Sequence, residues 1–250
     1  WLMHQPIPGS VDAIFRLREA GHRVLFVTNN SHSSVNEQAA VLESIGIPDV
    51  GDVVTASQSA GGLLNAGERV LIVDFDAHHG NGTQDIFYDD PRVLFVSLHQ
   101  WPLYPGTGWY DETGIGDGAG YTMNIPLPPQ TTGDVYLAAF DQLIVPMSEK
   151  FAPTWLIVSA GFDAHRNDPI TDMGLSSADY PLMMQRILQL VPAGRRLVML
   201  EGGYDLDALR MSPASTLAAM VGESHSDERP TSGGPAESMK QLAVVKAHWK

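Results

Sequence analysis

Arg-Val-Leu-Ile-Val-Asp-Phe-Asp-Ala-His-His-Gly-Asn-Gly, residues 69–82, decides the reading of this chain. A continuous apolar run leads into Asp74, Asp76 and His78, spaced two apart. In a β-strand the side chains at i, i+2 and i+4 project to one face, so this spacing predicts that the three converge. Carboxylate and imidazole together suit a divalent metal ion. Gly80 and Gly82 let the backbone turn away from such a site. The blander reading keeps Asp76 as a helix cap and His78 as a hydrogen-bonded core histidine.

Outward from this stretch, short β-rich runs alternate with helical patterns. This predicts an α/β fold: a three-layer, mostly parallel open sheet with helices on both faces. Strands are expected at 23–28, 69–74, 92–97, 154–159 and 196–200, with a further extended piece at 121–125. Helical periodicity falls at 11–20, 35–45, 135–150, 178–190 and 206–221. The glycine-rich stretch 102–120 reads as a long functional loop, and 223–235 as a polar linker before a last short helix.

Ligands of open α/β sheets bind beyond the carboxyl ends of the strands. Asp163 stands there behind Gly161 and completes a set with Asp76 and His78. Two aspartates and one histidine leave a fourth position open, as catalytic zinc sites do. Tyr204 follows Gly202 and Gly203 at another strand end, where a phenol can donate to a developing oxyanion. A tyrosine that merely closes a strand is the alternative. Asp74 reads as a ligand, an orienting group or a cation site. Ser97 reads as a local binding or capping group. His79 is expected to point away from His78, and His99 and His165 to lie in loops.

Bulk properties narrow the function classes. Apolar residues make up 44% of the 250, enough for a sizeable core. A formal charge of −14 offers no basic stripe for phosphates, so nucleic acid is not an expected partner. The absence of cysteine excludes disulfides and zinc–thiolate sites. No apolar run has membrane-spanning length and no basic-then-apolar segment opens the chain, which fits a cytoplasmic protein without a membrane partner. Nothing here speaks to the oligomeric state.

The segments 73–84 (Val-Asp-Phe-Asp-Ala-His-His-Gly-Asn-Gly-Thr-Gln), 87–99, 104–108 (Tyr-Pro-Gly-Thr-Gly), 159–169 (Ser-Ala-Gly-Phe-Asp-Ala-His-Arg-Asn-Asp-Pro) and 201–205 (Glu-Gly-Gly-Tyr-Asp) go further. In this order they resemble the zinc-dependent histone deacetylases and the related acetylpolyamine amidohydrolases. The resemblance implies an arginase/deacetylase-like fold over 69–250 and an amidohydrolase acting on acetylated lysine or acetylpolyamine-type amides. It implies that Asp76, His78 and Asp163 bind Zn2+, that Tyr204 stabilises the tetrahedral intermediate, and that Tyr104, with Gly202 and Gly203, lines the substrate channel. Asp74, Ser97 and the carbonyl of Leu98 would hold a structural potassium ion (K+). Asp74 and Asn81 would orient two proton-moving histidines. The family carries those as an adjacent pair in an upstream Pro-Gly-His-His loop, and residues 1–68 contain no such loop. Activity is therefore expected to be impaired.

Residues 6–14 and 17–31 (Leu-Arg-Glu-Ala-Gly-His-Arg-Val-Leu-Phe-Val-Thr-Asn-Asn-Ser) instead resemble haloacid-dehalogenase-type sugar phosphatases. Thr28 would match that family's phosphate-binding threonine, with Asn29 beside it. The Asp-x-Asp nucleophile pair would fall before Trp1, and the downstream lysine and acidic magnesium motif are replaced. The expected division is a haloacid-dehalogenase-like fragment over 1–68 and a deacetylase-like zinc domain over 69–250. The seam near 65–74 reads as a recombination joint or an artefact of sequence assembly. The alternatives in function are a phosphatase and a non-catalytic zinc-binding chimera. The strand at 23–28 is expected to join the sheet edge of the second part.

Overall fold

A computed structural model of the chain describes residues 10–19, 26–28, 35–47 and 53–249. In chain order the described elements are α1 (Ser10–Glu19), β1 (Phe26–Thr28), α2 (Val35–Ser44), β2 (Val53–Thr55), α3 (Ala56–Asn65), β3 (Val70–Asp74), α4 (Asn81–Phe87) and β4 (Val93–Gln100). They continue with β5 (Thr122–Leu127), α5 (Gly133–Ala139), α6 (Val145–Phe151), β6 (Trp155–Ala160), α7 (Asp179–Leu188), β7 (Arg196–Leu200), α8 (Leu206–Met220) and α9 (Ala236–His248).

Strands β3–β7 form one parallel sheet in the order β5-β4-β3-β6-β7. The quoted stretch supplies its middle strand, and all five β3 residues are buried. Alternation along β3 divides the core. Leu71 and Val73 face one layer with Tyr136, Phe140, Tyr180 and Val245 from α5 to α9. Val70 and Ile72 face the other with Ala60 and Leu64 of α3 and Phe87 of α4. A strand covered on both faces is expected to be apolar, which is why residues 70–73 of β3 have no polar interruption. The ladder ends with Asp74 level with Ser97 on one side and Ser159 on the other. All three strand ends therefore open on the same edge of the fold.

Five of the six expected strands fall on observed strands in this sheet, with ends within three residues. The sixth does not join it. Phe26–Thr28 pairs in parallel with Val53–Thr55 in a separate two-stranded sheet, while residues 20–25 lie outside the described ones. Two short β-branched runs linked through α2 satisfy each other's ladder first, as a βαβ unit does. Leu42 and Ile47 pack there with Val11 and Ile14 of α1.

Two helices were hidden from periodicity. Helix α3, Ala-Ser-Gln-Ser-Ala-Gly-Gly-Leu-Leu-Asn, is rich in serine and glycine, and α4 opens on Asn-Gly, a turn signal. The single helix expected over 135–150 is two α-helices joined by a π-helical turn, Phe140–Ile144. Pro146 lies in the first turn of α6 and lacks the N–H that an unbroken ladder requires, so the wider turn falls just ahead of it.

The 223–235 segment has no helix or strand but is held by hydrogen bonds, among them those of two buried or half-buried carboxylates. Glu228 accepts from Ser177 N–H (2.7 Å), Ser177 Oγ and His165 Nε2 (2.9 Å), and pairs with Arg166. Asp179 accepts from Thr231 N–H and Oγ1. No helix among the described residues is long and apolar enough to cross a membrane.

Helix α3 precedes the central strand yet packs on its sheet through Leu64, which is 5% exposed. Leu64→Ala is expected to cost about 2–4 kcal/mol in urea-unfolding measurements, as buried leucine truncations do. A loss below about 0.5 kcal/mol, the range of surface substitutions, would contradict this packing.

Candidate metal centre

The strand ladder stops at Asp74, so strand alternation alone does not bring the next two residues together. Two side-chain turns do. Asp74 Oδ1 accepts Asp76 N–H at 3.0 Å, and Asp76 Oδ1 accepts His78 N–H at 2.8 Å. Each aspartate bends the chain two residues on, as such Asx turns do, and His78 swings back over Asp76. From the neighbouring β6 end, Asp163 is anchored by Ala77 N–H on Oδ1 (2.8 Å), and Thr171 Oγ1 donates to its carbonyl. His78 Nδ1 then lies 2.9 Å from Asp163 Oδ2 and 3.1 Å from Asp76 Oδ1. One ligand atom from each of the three lies within 4.8 Å of the others.

Glycines make the space. A Cβ on Gly161 would collide with the carboxylate of Asp76 and come within 2.6 Å of its Cα. One on Gly202 would lie 2.5 Å from Asp163 Oδ2 and 2.8 Å from Asp76 Oδ2. Without that Cβ, Gly202 N–H reaches Asp76 Oδ2 at 2.9 Å.

The electrostatics follow from burying two carboxylates side by side. Burial, then the charge of Asp76, pushes Asp163 up to about 7. Burial also opposes ionisation of Asp76, but hydrogen bonds and charge from His78 outweigh it and hold that carboxyl low. Burial disfavours the charged form of His78, yet bonds to Asp163 and Asp76 and their charges raise it to about 10. Protein and proton thus present a site whose cation is, by default, the imidazolium. The one nitrogen and two carboxylate oxygens fit a divalent ion in that proton's place.

Asp74 is 1% exposed, and its Oδ2 has no hydrogen-bond partner. Burial and then the charge of Asp76 raise its pKa. Ser97, level with it in the ladder, has its Oγ 3.0 Å from His99 Nδ1 instead. Leu98 is buried in β4, and Asn81 begins α4 with its N–H on the His79 carbonyl. Tyr204 is half-exposed beyond Gly203, whose φ is +141°. Its N–H donates to Asp168 Oδ2 at 2.8 Å. Burial and the charges of Asp76 and Asp163 raise its phenol, which places the ring in the field of the cluster. Tyr104 is 67% exposed in the 102–120 loop. Thr28 ends β1 opposite Thr55, and Asn29 lies outside the described residues.

His79 does point away from the cluster, and His165 lies between β6 and α7 as expected, but His99 is not a loop residue. His99 lies in β4 and is 1% exposed; His165 forms a β-bridge with Leu175 and is fully buried. Sequence reading missed a polar network behind the centre. His79 lies 2.8 Å from Thr107 Oγ1 and 3.0 Å from Gln84 Oε1, and His99 Nε2 lies 2.9 Å from the Gly108 carbonyl. Gln84 and Asn124 continue it to Glu112. Only the run of polar residues inside apolar strands, Ser97, His99 and Asn124, signalled it.

A parallel sheet with two aspartates and a histidine gathered beyond its central strand ends defines an α/β protein with a candidate divalent-metal site where open sheets bind their ligands. Comparison with known proteins sharpens this. A family model described as "Histone deacetylase domain" matches residues 50–220, and the chain belongs to that family. A second model, "Haloacid dehalogenase-like hydrolase", matches residues 1–78. The chain is 48% identical over 165 residues to a "Probable deacetylase" of Archaeoglobus fulgidus, covering 64% of this chain and 46% of that protein. It is 44% identical over 161 residues to "Histone deacetylase HDA1" of Saccharomyces cerevisiae, covering 62% of this chain and 23% of that one. It thus spans less than half the length of these relatives. Among solved structures, the HDA15 HD domain superposes with a TM-score of 0.70 at 36% identity, over 78% of this chain and 54% of that one. The histone deacetylase Clr3 gives 0.72 at 36% identity, over 78% and 34%.

The buried network makes its own prediction. Burial, then the charge of His79, lowers His99 to about 3, against 6.5 ordinarily. A depressed folded pKa means that the unfolded chain binds the proton more readily. The stability contributed is complete above about pH 6.5 and is lost as pH falls toward 3. His99→Gln is expected to flatten the acid limb of melting temperature against pH in that window; an unchanged limb would count against it.

Proposed function

We propose that the chain is the metal-bearing part of a zinc-dependent amidohydrolase acting on acetylated lysine or acetylpolyamine-type amides. The observation that carries this reading is the cluster of Asp76, His78 and Asp163 around one imidazole nitrogen, walled by Gly161 and Gly202. Those three residues would hold the zinc ion. Zinc bound there supplies a Lewis acid for the acetamide carbonyl and for the attacking water.

The protein's own groups do the rest. Asp76 and Asp163, already fixed by amides of His78, Gly202 and Ala77, need no rearrangement to receive a cation. Tyr204 donates its hydroxyl to the carbonyl oxygen as negative charge develops, and its raised pKa keeps it protonated for this. Gly202 and Gly203 let the amide approach, and Tyr104 walls the entry. Asp74, whose inner oxygen lacks a partner, would hold potassium with Ser97 and the Leu98 carbonyl. Asn81 belongs to the same support.

Proton transfer is the weak step. The upstream histidine pair is absent from residues 1–68, and His79 is committed to Thr107 and Gln84. Loss of a general base costs about 10²–10⁴-fold in rate. We therefore place turnover that far below the family's ordinary level, and divide the chain into a haloacid-dehalogenase-like fragment, 1–68, and this zinc part, 69–250.

Zinc binding is expected to expel the proton that His78 holds with its pKa near 10, so affinity rises with pH across 7–9. Calorimetry in buffers of different ionisation enthalpy should read about one or more protons released per zinc, and Asp163→Ala should abolish tight binding. An acetyl-lysine assay then decides activity. Slow hydrolysis lost in Asp163→Ala supports the reading; zinc binding with no hydrolysis favours a non-catalytic metal protein.

A further inference from the structure

The loop that carries Tyr104 is fastened at one carboxylate. Glu112 Oε1 accepts both Gly108 N–H (3.0 Å) and Trp109 N–H (2.9 Å), while Oε2 accepts Gln84 Nε2 at 2.7 Å. The Glu112 carbonyl takes Asn124 Nδ2 at 3.1 Å. Gln84 Oε1 takes the same Asn124 amide at 2.7 Å, which orients the glutamine amide. His79 Nε2, 3.0 Å from that oxygen, must then be the donor, so its Nδ1 accepts from Thr107 Oγ1 at 2.8 Å. From Glu112, one path runs through Gln84 and His79 to the loop at Thr107, and His79 directly follows the cluster residue His78. Gly108, at φ +92°, closes the turn so tightly that a Cβ would lie 2.6 Å from the His79 ring and 2.8 Å from His99 Cε1.

We propose that Glu112 is a positioning residue: through Gln84 and His79 it locks the 104–109 turn to the strand end bearing His78, so that the entry wall and the metal centre hold one geometry. A carboxylate suits this task because one group can accept from two backbone amides and a side-chain amide together, each bond strengthened by its charge. The role in substrate positioning rests on the reading of Tyr104 as the channel wall; the anchoring itself does not.

The pair Glu112 and Gln84 allows a test that separates the two. Glu112→Gln keeps the shape but sets an amide NH2 against that of Gln84. The double variant Gln84→Glu/Glu112→Gln restores a donor facing an acceptor, with the acid now on the other side. Hydrogen exchange at the Gly108 and Trp109 amides and acetyl-lysine peptide binding to the zinc-loaded protein are measured in wild type, single and double variants. The single variant is expected to speed exchange about tenfold and weaken peptide binding about five- to tenfold, the scale of one lost hydrogen bond. Zinc affinity should stay within about twofold, and the double variant should recover both readouts, as coupled partners do. Unchanged peptide binding in the single variant, or no recovery in the double, overturns the proposal. If wild type binds no peptide, the functional reading fails and the positioning role with it, while exchange still reports whether the turn is anchored.

Discussion

Two carboxylates, Asp76 and Asp163, share one imidazole nitrogen at the carboxyl ends of the strands of a parallel sheet. Like charges so close and so dry repel strongly unless a cation lies between them. Much of the surrounding fold answers that demand. Backbone amides of Ala77, His78 and Gly202 are spent on the two carboxylates, and Gly161 and Gly202 give up side chains so that the strand ends can close. Asp74 stands just behind, buried with one oxygen unsatisfied, and burial together with the charge of Asp76 opposes its ionisation. The centre is thus under electrostatic tension that a proton relieves partly and a divalent ion would relieve better.

How much of this was legible in the residues depended on how local the cause was. Strands β3, β4 and β6 were readable because burial on both faces favours apolar runs, as at 70–73, 93–96 and 155–158, while the partly buried edge strand β7 was readable from Leu-Val-Met-Leu at 197–200. Asp76, His78 and Asp163 were legible as a set, but for a reason only half right. The period of two suggested strand alternation, whereas the convergence is made by Asx turns after the strand has ended. Helices α3 and α4 were not legible, since serine, glycine and an Asn-Gly start describe a turn as well as a helix, and contact with Ile72 and Phe95 settles the matter. The network of His79, Gln84, His99, Asn124 and Glu112 joins residues up to 45 positions apart with no periodicity to announce it.

The two family matches overlap over residues 50–78, the stretch that holds β2, α3 and β3. A strand followed by a glycine-rich helix and another apolar strand meets the packing needs of either α/β fold. The wording there serves both, and α3 packs on the sheet that holds the metal centre. Strand β1, by contrast, found its partner in β2. Across the overlap the packing is continuous at α3, while the β1–β2 pairing before it stays separate from the main sheet.

The polar segment 223–235 joins α8 to α9, and α9 buries Leu242 and Val245 in the main core. Its own hold is through hydrogen bonds, those of Glu228 and Asp179 and those to residues 132–134, with no buried apolar side chain. Covalent continuity and cohesion are thereby separated in this corner of the molecule. A backbone nick at the exposed residues 223–227 would leave both carboxylate anchors and the α9 core contacts in place, so the two pieces would remain one folded body whose break shows only under denaturing conditions.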